Sequence, residues 1–119
     1  MAKFVYKMQN ILNIKTRLET QAKTEFSQAS ARLDEEEDKL RSLILRRRTY
    51  EDELKNASND KLDINKLKQY NNYIAVIKEL MEKQALQVRV AQKNLDKARE
   101  KLNKSMQERK IHEKLREKA

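Results

Sequence analysis

The side chains that could perform chemistry in this chain are one histidine and a surplus of carboxylates. His112 has no cysteine with which to share a metal, since the chain contains none, and the acidic residues around it lack metal-ligand spacing. Pairs such as Glu79 with Lys83 and Glu113 with Glu117 are four residues apart, which makes them neighbours on one helix surface. We therefore expect no catalytic residue, no metal site and no cofactor, and we do not expect an enzyme.

The densest charge clusters are typical of a solvated helix surface. The acidic run 34–38 and the basic run 46–48 stand out, but the basic run is followed closely by the acidic residues 51–53. Glycine is absent, so the chain lacks the material for a phosphate-binding loop. We assign these clusters to solvent rather than to nuclear import or nucleic-acid binding.

The composition favours long helices. The chain has neither glycine nor proline, the residues that punctuate turns and strand ends. Hydrophobic residues make up 38% and charged residues 39%, which is too little apolar material for a globular core but enough for a stripe along a helix. The opening "MAKFVYKMQNILNIK" has lysines inside any apolar stretch, unlike a secretory signal, and no uncharged run could span a membrane. We expect a cytoplasmic protein without membrane insertion.

Two apolar stripes carry the structural signal. One runs from residue 22 to 57 and the other from 67 to 102, each in alternating steps of three and four residues. Heptads sustained over this length are typical of a coiled coil. The predicted core residues are Phe26, Leu33, Leu40 and Leu54 in the first helix, and Leu67, Ile74, Met81, Val88 and Leu95 in the second.

The polar stretch "NASND" (residues 56–60) separates the two stripes and predicts a turn. Asp60 or Asp63 could cap the second helix by accepting a backbone N–H. The predicted domain is a single coiled-coil hairpin over residues 1–119, with helix 1 at about 3–57, the turn at about 58–63 and helix 2 at about 64–119. The predicted fold class is all-α, with two long helices in an antiparallel coiled-coil hairpin.

The polar breaks in the two stripes favour pairing within one chain. If the turn is centred near residue 60, facing residues have numbers that sum to about 121. Glu36 in the first stripe then lies opposite Gln84 in the second. A parallel homodimer would instead oppose two copies of Glu36, which is unfavourable.

Near the termini the apolar pattern drifts. The first helix steps through Lys15, Leu18 and Ala22, and the second steps from Ala98 to Leu102 to Met106. Such stutters locally unwind a supercoil. We therefore expect looser packing between the two helices at the end of the hairpin that carries both termini.

The net charge of +9 is confined to that end. Residues 1–23 hold five Lys/Arg and one Asp/Glu, and residues 93–119 hold ten and five. Residues 24–92 hold thirteen of each and are neutral. A hairpin brings the two basic segments together, which predicts attraction of a large anionic partner: an acidic protein surface, nucleic acid or anionic lipid.

Several segments in this order resemble the flagellar FliJ family, the small proteins of the flagellar type III export apparatus. They are "FVYKMQNILNIKTRLETQA", "EEEDKLRSLILRRRTYEDEL", "YNNYIAVIKELMEKQALQV" and "ERKIHEKLREKA". The resemblance covers nearly the whole chain. It implies a two-helix antiparallel coiled coil at the cytoplasmic face of the flagellar base. It also implies a stalk that inserts into a hexameric export ATPase ring, contacts the membrane export gate protein and, in some members, binds export chaperones.

The resemblance and the charge distribution together assign two contact regions. The gate-contact face implied by matching positions is Leu43, Tyr50, Tyr73 and Ile77. The ATPase ring is expected at the basic end, and the expected contacts are Lys3, Lys7, Lys15, Arg17, Lys97, Lys101, Lys104 and Arg109. The last four of these are expected to be largely exposed. Neither a small-molecule substrate nor a nucleic acid is expected as a partner. Two alternatives stay open, a generic coiled-coil adaptor or tether and a basic nucleic-acid-binding coiled coil.

Overall fold

The chain forms two long helices. The computed structural model describes residues 2–59 and 63–118, in which α1 spans Ala2–Asn59 and α2 spans Ile64–Lys118. The predicted all-α fold, an antiparallel helical hairpin, is confirmed. Helix α1 continues two residues beyond the predicted boundary at residue 57, a difference within the usual scatter of helix ends.

The start of α2 is set by Asp63. Its carboxylate oxygen Oδ1 accepts a hydrogen bond from the backbone N–H of Asn65 at 3.1 Å, and its carbonyl accepts the first helical bond from Leu67 N–H, also at 3.1 Å. This is the geometry of an N-cap, which satisfies a backbone donor that the helix cannot satisfy itself. Asp60, the other predicted cap, lies outside the described residues.

The chain divides into two compact units, each built from both helices. One consists of Met1–Arg32 and Gln92–Ala119, and the other of Leu33–Ala91. The first holds sixteen Lys/Arg and seven Asp/Glu, a net charge of +9, whereas the second holds twelve of each. We call them the basic unit and the neutral unit.

Contacts within each unit show that the helices are antiparallel. In the basic unit Lys15 pairs with Glu108, and Glu25 further along α1 pairs with Lys101 earlier in α2. In the neutral unit Glu36 bonds to Gln84, while Tyr50 packs on Tyr73.

These contacts also locate the register. The residue numbers of Glu36 and Gln84 sum to 120, and those of Tyr50 and Tyr73 to 123. The corresponding sum is 126 for Glu25 with Lys101. The expected sum of about 121 therefore lies at the low end of the observed sums. The reason is that the midpoint between Asn59 and Ile64 lies after residue 60.

The seam between the helices follows the predicted stripes. Leu33, Ile74 and Leu95 are buried, and the other predicted core residues are half-buried: Phe26, Leu40, Leu54, Leu67, Met81 and Val88. A two-helix contact leaves each seam side chain open to solvent at its edge, so half-burial is what this fold provides.

The polar layer predicted in the neutral unit is present. Gln84 Nε2 donates to the Glu36 carboxylate at 2.6 Å and to the Glu36 backbone carbonyl at 2.9 Å. Lys39 approaches the same carboxylate at 3.4 Å. The buried carboxylate is thus hydrogen-bonded, as a buried charge must be to be tolerated.

The predicted stutter in α1 is wrong. Glu19 occupies the seam with 5% of its surface exposed, while Leu18 is 43% exposed. The heptad steps therefore continue from Ala22 back through Glu19, Lys15 and Leu12 without interruption.

The same regularity extends α2. Beyond Leu102 the half-buried positions include Ser105, Arg109 and His112 as well as Met106, whereas Arg116 is exposed. Charged side chains occupy the seam here because they pair across it: Glu19 accepts a hydrogen bond from Arg109 Nε. The seam at this end is polar but continuous.

Candidate functional site

The basic surface is built from both helices of the basic unit. Residues predicted to contact the ATPase ring lie in its two segments, and six of them are exposed: Lys3, Lys7, Arg17, Lys97, Lys101 and Lys104. The antiparallel pairing of α1 with α2 brings the two sets into one unit. Helical side chains seven residues apart, such as Lys97 and Lys104, share a face and present parallel cations.

Two of the predicted contact residues are not exposed, which corrects the expectation for Arg109, and Lys101 is exposed but paired with Glu25. Lys15 is half-buried, and its Nζ lies 3.0 Å from Glu108 Oε2. Arg109 is half-buried and pairs with Glu19 through Nε and with Glu113 through Nη1 at 2.9 Å. Both side chains therefore form ion pairs between the two helices in the protein alone.

The Glu19–Arg109 pair is the most buried ion pair of the basic unit among the described residues. Burial alone would raise the pKa of the Glu19 carboxyl, but the Arg109 guanidinium and, more weakly, Lys23 outweigh it and lower that pKa. Glu19 is therefore ionised at neutral pH. A heptad extended from Ala22 and Leu102 would have placed both residues in the seam, so the signal was present in the sequence.

An apolar groove in the neutral unit contains the two tyrosines predicted to contact the gate. The Tyr50 and Tyr73 rings pack with centroids 5.4 Å apart and planes tilted by 34°, a favourable aromatic geometry. Gln69 Nε2 donates to the Tyr73 hydroxyl at 3.1 Å, which orients the ring. The groove has a volume of about 160 Å³ and is lined by Arg46, Tyr50, Tyr73, Val76, Ile77 and Leu80.

The four predicted gate-contact residues differ in how much surface they offer. Tyr73 is 43% exposed, whereas Ile77 is 4% exposed and packs in the seam beneath the groove. Leu43 and Tyr50 are half-buried. A partner would therefore touch Tyr73 most and Ile77 least.

Two exposed residues of this groove were missed from the sequence. Val76 and Leu80 lie three and seven residues after Tyr73, which puts all three on one flank of α2 just outside the seam. In the sequence these residues form a second apolar spacing within "YIAVIKEL". It is shorter than the stripe that predicts the seam, and it lies beside that stripe. Tyrosine and arginine beside exposed aliphatic residues are the side chains enriched at protein interfaces.

Among residues 2–59 and 63–118, no group of three or more His, Cys, Asp or Glu is arranged to hold a metal ion. Within the same residues no helix combines the length and hydrophobicity needed to cross a bilayer.

Comparison with known proteins gives a family. No curated protein and no solved structure matches the chain. The model of the flagellar FliJ protein family matches residues 4–119, which include α1 from Phe4 onward, the whole of α2 and every predicted contact residue except Lys3. A match over nearly the whole chain, on a structure with the antiparallel two-helix fold that the resemblance implied, shows that this chain belongs to the flagellar FliJ family.

Proposed function

We propose that this flagellar export-related protein is a non-enzymatic stalk that couples an export ATPase to the export gate. It acts at the cytoplasmic face of the flagellar base. Its basic unit enters the hexameric ATPase ring and its neutral unit contacts the membrane gate protein, while export chaperones bind the same chain. The observation that carries the proposal is the division of charge, +9 in one unit and zero in the other.

The charge division supports two different docking chemistries on one chain. A unit with sixteen cations and seven anions attracts an acidic surface over several ångströms and accelerates association with it. The neutral unit has no such field, so its binding must come from short-range contacts. The groove at Tyr73 provides these, with tyrosine rings and aliphatic side chains beside the cation of Arg46.

A non-enzymatic role fits the kind of side chains in that groove. It is lined by two tyrosines, three aliphatic residues and one arginine. Such a surface recognises a partner through packing and hydrogen bonding, whereas general acid–base catalysis needs a titratable pair held in reach of a substrate.

The ring-docking half of the proposal is tested by charge reversal. Lys97→Glu with Lys104→Glu reverses two exposed charges on one face of the basic unit. We expect the helical content to be unchanged and the stimulation of ATP turnover by the cognate export ATPase to fall at least tenfold at low salt. The matched control, Lys55→Glu with Lys68→Glu, reverses two exposed lysines of the neutral unit and should stimulate turnover normally.

The gate-docking half is tested by removing the exposed tyrosine. Tyr73→Ala deletes the most accessible aromatic surface of the groove and should weaken binding of the gate protein by roughly 10- to 100-fold, the loss typical of an interface hot spot. Turnover stimulation should stay normal. Leu86→Ala removes a similarly exposed apolar side chain elsewhere in the neutral unit and serves as the control.

Three results would overturn these assignments. Loss of ATPase stimulation by Tyr73→Ala together with full stimulation by the charge-reversed protein would invert the roles of the two units. A protein whose variants change neither readout would be a generic coiled-coil tether, and competition by nucleic acid for the basic unit would favour the nucleic-acid alternative.

A further inference from the structure

An exposed apolar surface runs along one side of the basic unit. On α1, Phe4 and Ile14 are each 55% exposed, and on α2 Ile111 is 57% exposed. Leu18 and Leu115 are also exposed, and Ile11 is half-buried. We call this set the apolar flank: Phe4, Ile11, Ile14, Leu18, Ile111 and Leu115.

The members of the apolar flank from α1 share one face of that helix. Phe4, Ile11 and Leu18 are spaced by seven residues, and Ile14 lies three residues after Ile11. In a heptad, residues seven apart stack along one side, and residues three or four apart are neighbours. Because the seam passes through Leu12, Lys15 and Glu19, the flank lies directly beside the seam.

Cross-helix ion pairs place the α2 members on the same side. Glu25, seven residues after Leu18, pairs with Lys101 of α2 at 2.8 Å. Lys101 in turn precedes Leu115 by fourteen residues, which is two heptads. The flank of α1 that carries Leu18 therefore faces the flank of α2 that carries Leu115. The Lys15–Glu108 pair joins the same two helices, and Glu108 lies midway between Lys101 and Leu115 on α2.

The opposite side of the basic unit is polar. Positions on the other edge of the seam include Thr16 and Lys23 in α1 and Arg99 and Glu113 in α2, and all four are exposed. The large exposed apolar side chains of the basic unit thus lie mainly beside one edge of its seam, with Tyr6 as an exception on the other side.

The charges around the apolar flank are predominantly cationic. Residues 2–18 of α1 contain Lys3, Lys7, Lys15 and Arg17 and no acidic residue. Residues 101–118 of α2 contain seven Lys/Arg and three Glu. An exposed apolar strip bordered by Lys and Arg is the pattern by which amphipathic helices bind at the surface of an anionic membrane.

We propose that the apolar flank is a peripheral binding surface for an anionic lipid bilayer. The apolar side chains enter the headgroup–acyl boundary, and the surrounding lysines and arginines contact lipid phosphates. A second copy of this chain is disfavoured as the occupant, because it would bring two surfaces of the same positive charge together. The apolar flank takes no part in the proposed ring and gate contacts, although the cations around it are shared with the ring contact. Vesicle binding is therefore measured without the ATPase, so that this inference and the ring contact can fail separately.

The first experiment measures binding of the full chain to vesicles. The chain should co-sediment at low salt with vesicles made from equal parts of phosphatidylcholine and phosphatidylglycerol, and not with phosphatidylcholine alone. Ile14→Gln with Ile111→Gln, which reduces the apolar flank, should lower the partition at least tenfold. Lys7→Gln with Arg17→Gln should lower it by a similar factor.

Matched controls separate the flank from general hydrophobicity and charge. Leu86→Gln with Val90→Gln removes two exposed apolar side chains of the neutral unit, and Lys55→Gln with Lys68→Gln removes two of its exposed cations. Both control variants should bind the anionic vesicles as the unaltered chain does. All variants change exposed positions, so helical content measured by circular dichroism should be the same throughout.

The second experiment reports where the chain touches the lipid. The sequence contains no tryptophan, so Phe4→Trp introduces a single probe into the apolar flank. Its emission should shift to shorter wavelength when anionic vesicles are added. Leu86→Trp, a probe in the neutral unit, should not shift.

Each other result overturns the proposal. If the variant with Ile14→Gln and Ile111→Gln still binds vesicles, the chain binds by electrostatic attraction without using the flank. The same conclusion follows if vesicle binding leaves the emission of Phe4→Trp unchanged. If the unaltered chain binds no vesicles but the flank variant breaks a self-associated species in sedimentation, a second copy covers the flank. If the flank variant instead reduces ATPase stimulation, a protein covers it.

Discussion

Some charged side chains of this protein form ion pairs between the two helices and are not free to contact a partner. Arg109 shows this most clearly, because its guanidinium joins Glu19 across the hairpin and Glu113 along α2. Glu19 retains only 7% of its side-chain surface, so its charge depends on that pairing. A buried carboxylate deprived of its partner would be left with the desolvation penalty alone.

Removing the Glu19 carboxylate should therefore destabilise the chain. Glu19→Gln should lower the free energy of unfolding by about 1–2 kcal/mol, less than for a fully buried pair because Arg109 keeps Glu113 and some solvent. Glu108→Gln, which breaks the more exposed pair with Lys15, should cost at most about 0.5 kcal/mol. Urea unfolding of the two variants measures the difference, and equal effects would contradict the seam role of Glu19.

The same pair predicts a pH dependence of stability. Since the folded pKa of Glu19 is lowered, its contribution is present above the unfolded pKa of about 4.3 and is lost as the pH falls through the lower folded value. Glu19→Gln should thus differ from the unaltered chain at neutral pH and approach it in acid. A constant difference across this range would show that Glu19 acts by packing rather than by charge.

The two helices were predictable because one physical pattern dominates each of them. Alternating steps of three and four apolar residues, with no glycine or proline, leave a helix as the only element that buries one continuous stripe. The polar layer at Glu36 and Gln84 followed from the same count. The prediction for the seam of the basic unit was wrong because it placed the hydrophobic Leu18 there instead of Glu19. The heptad spacing indicates Glu19.

The groove at Tyr73 was predictable only in part. Exposure of Val76 and Leu80 depends on which flank of α2 faces solvent, and that depends on the rotation of α2 against α1. The apolar stripe of one helix predicts which residues lie in the seam. It does not predict which apolar residues beside the seam are exposed. The burial of Ile77 likewise follows from its seam position and not from the family resemblance.

The register of the two helices can be tested by crosslinking. Glu36 and Gln84 face each other across the seam, so cysteines at these two positions should form a disulfide within one chain under mild oxidation. Cysteines at Glu36 and Lys83 are a matched control, because Lys83 is adjacent in sequence but exposed on the outside of α2. Crosslinks between chains in the first variant, seen as dimers on non-reducing gels, would replace the intrachain hairpin by a swapped assembly.

At the scale of the whole molecule, the charge imbalance opposes folding of one unit and not of the other. The basic unit gathers sixteen cations with seven anions, whereas the neutral unit balances twelve against twelve. Like charges held on two adjacent helices repel, and salt screens this repulsion over a Debye length of about 8 Å at physiological ionic strength.

Added salt should consequently stabilise the protein. Raising sodium chloride from low to physiological concentration should increase the free energy of unfolding by on the order of 1 kcal/mol, since the screened repulsion exceeds the loss from exposed ion pairs. Amide hydrogen exchange should slow mainly in the basic unit. The Lys97→Glu, Lys104→Glu variant, with net charge lowered from +9 to +5, should respond less. A fall in stability with salt would mean that the ion pairs dominate.

The division of the chain into a continuous and a discontinuous unit has a consequence for its synthesis. The neutral unit is one uninterrupted stretch, so it can close as soon as Ala91 has left the ribosome. The first thirty-two residues have their partners in 92–119, sixty residues later. At about 5–20 residues per second, that arm waits roughly 3–12 seconds in each round of translation. During that interval its apolar seam and basic side chains are open to chaperones, proteases and polyanions, before the finished hairpin covers the seam.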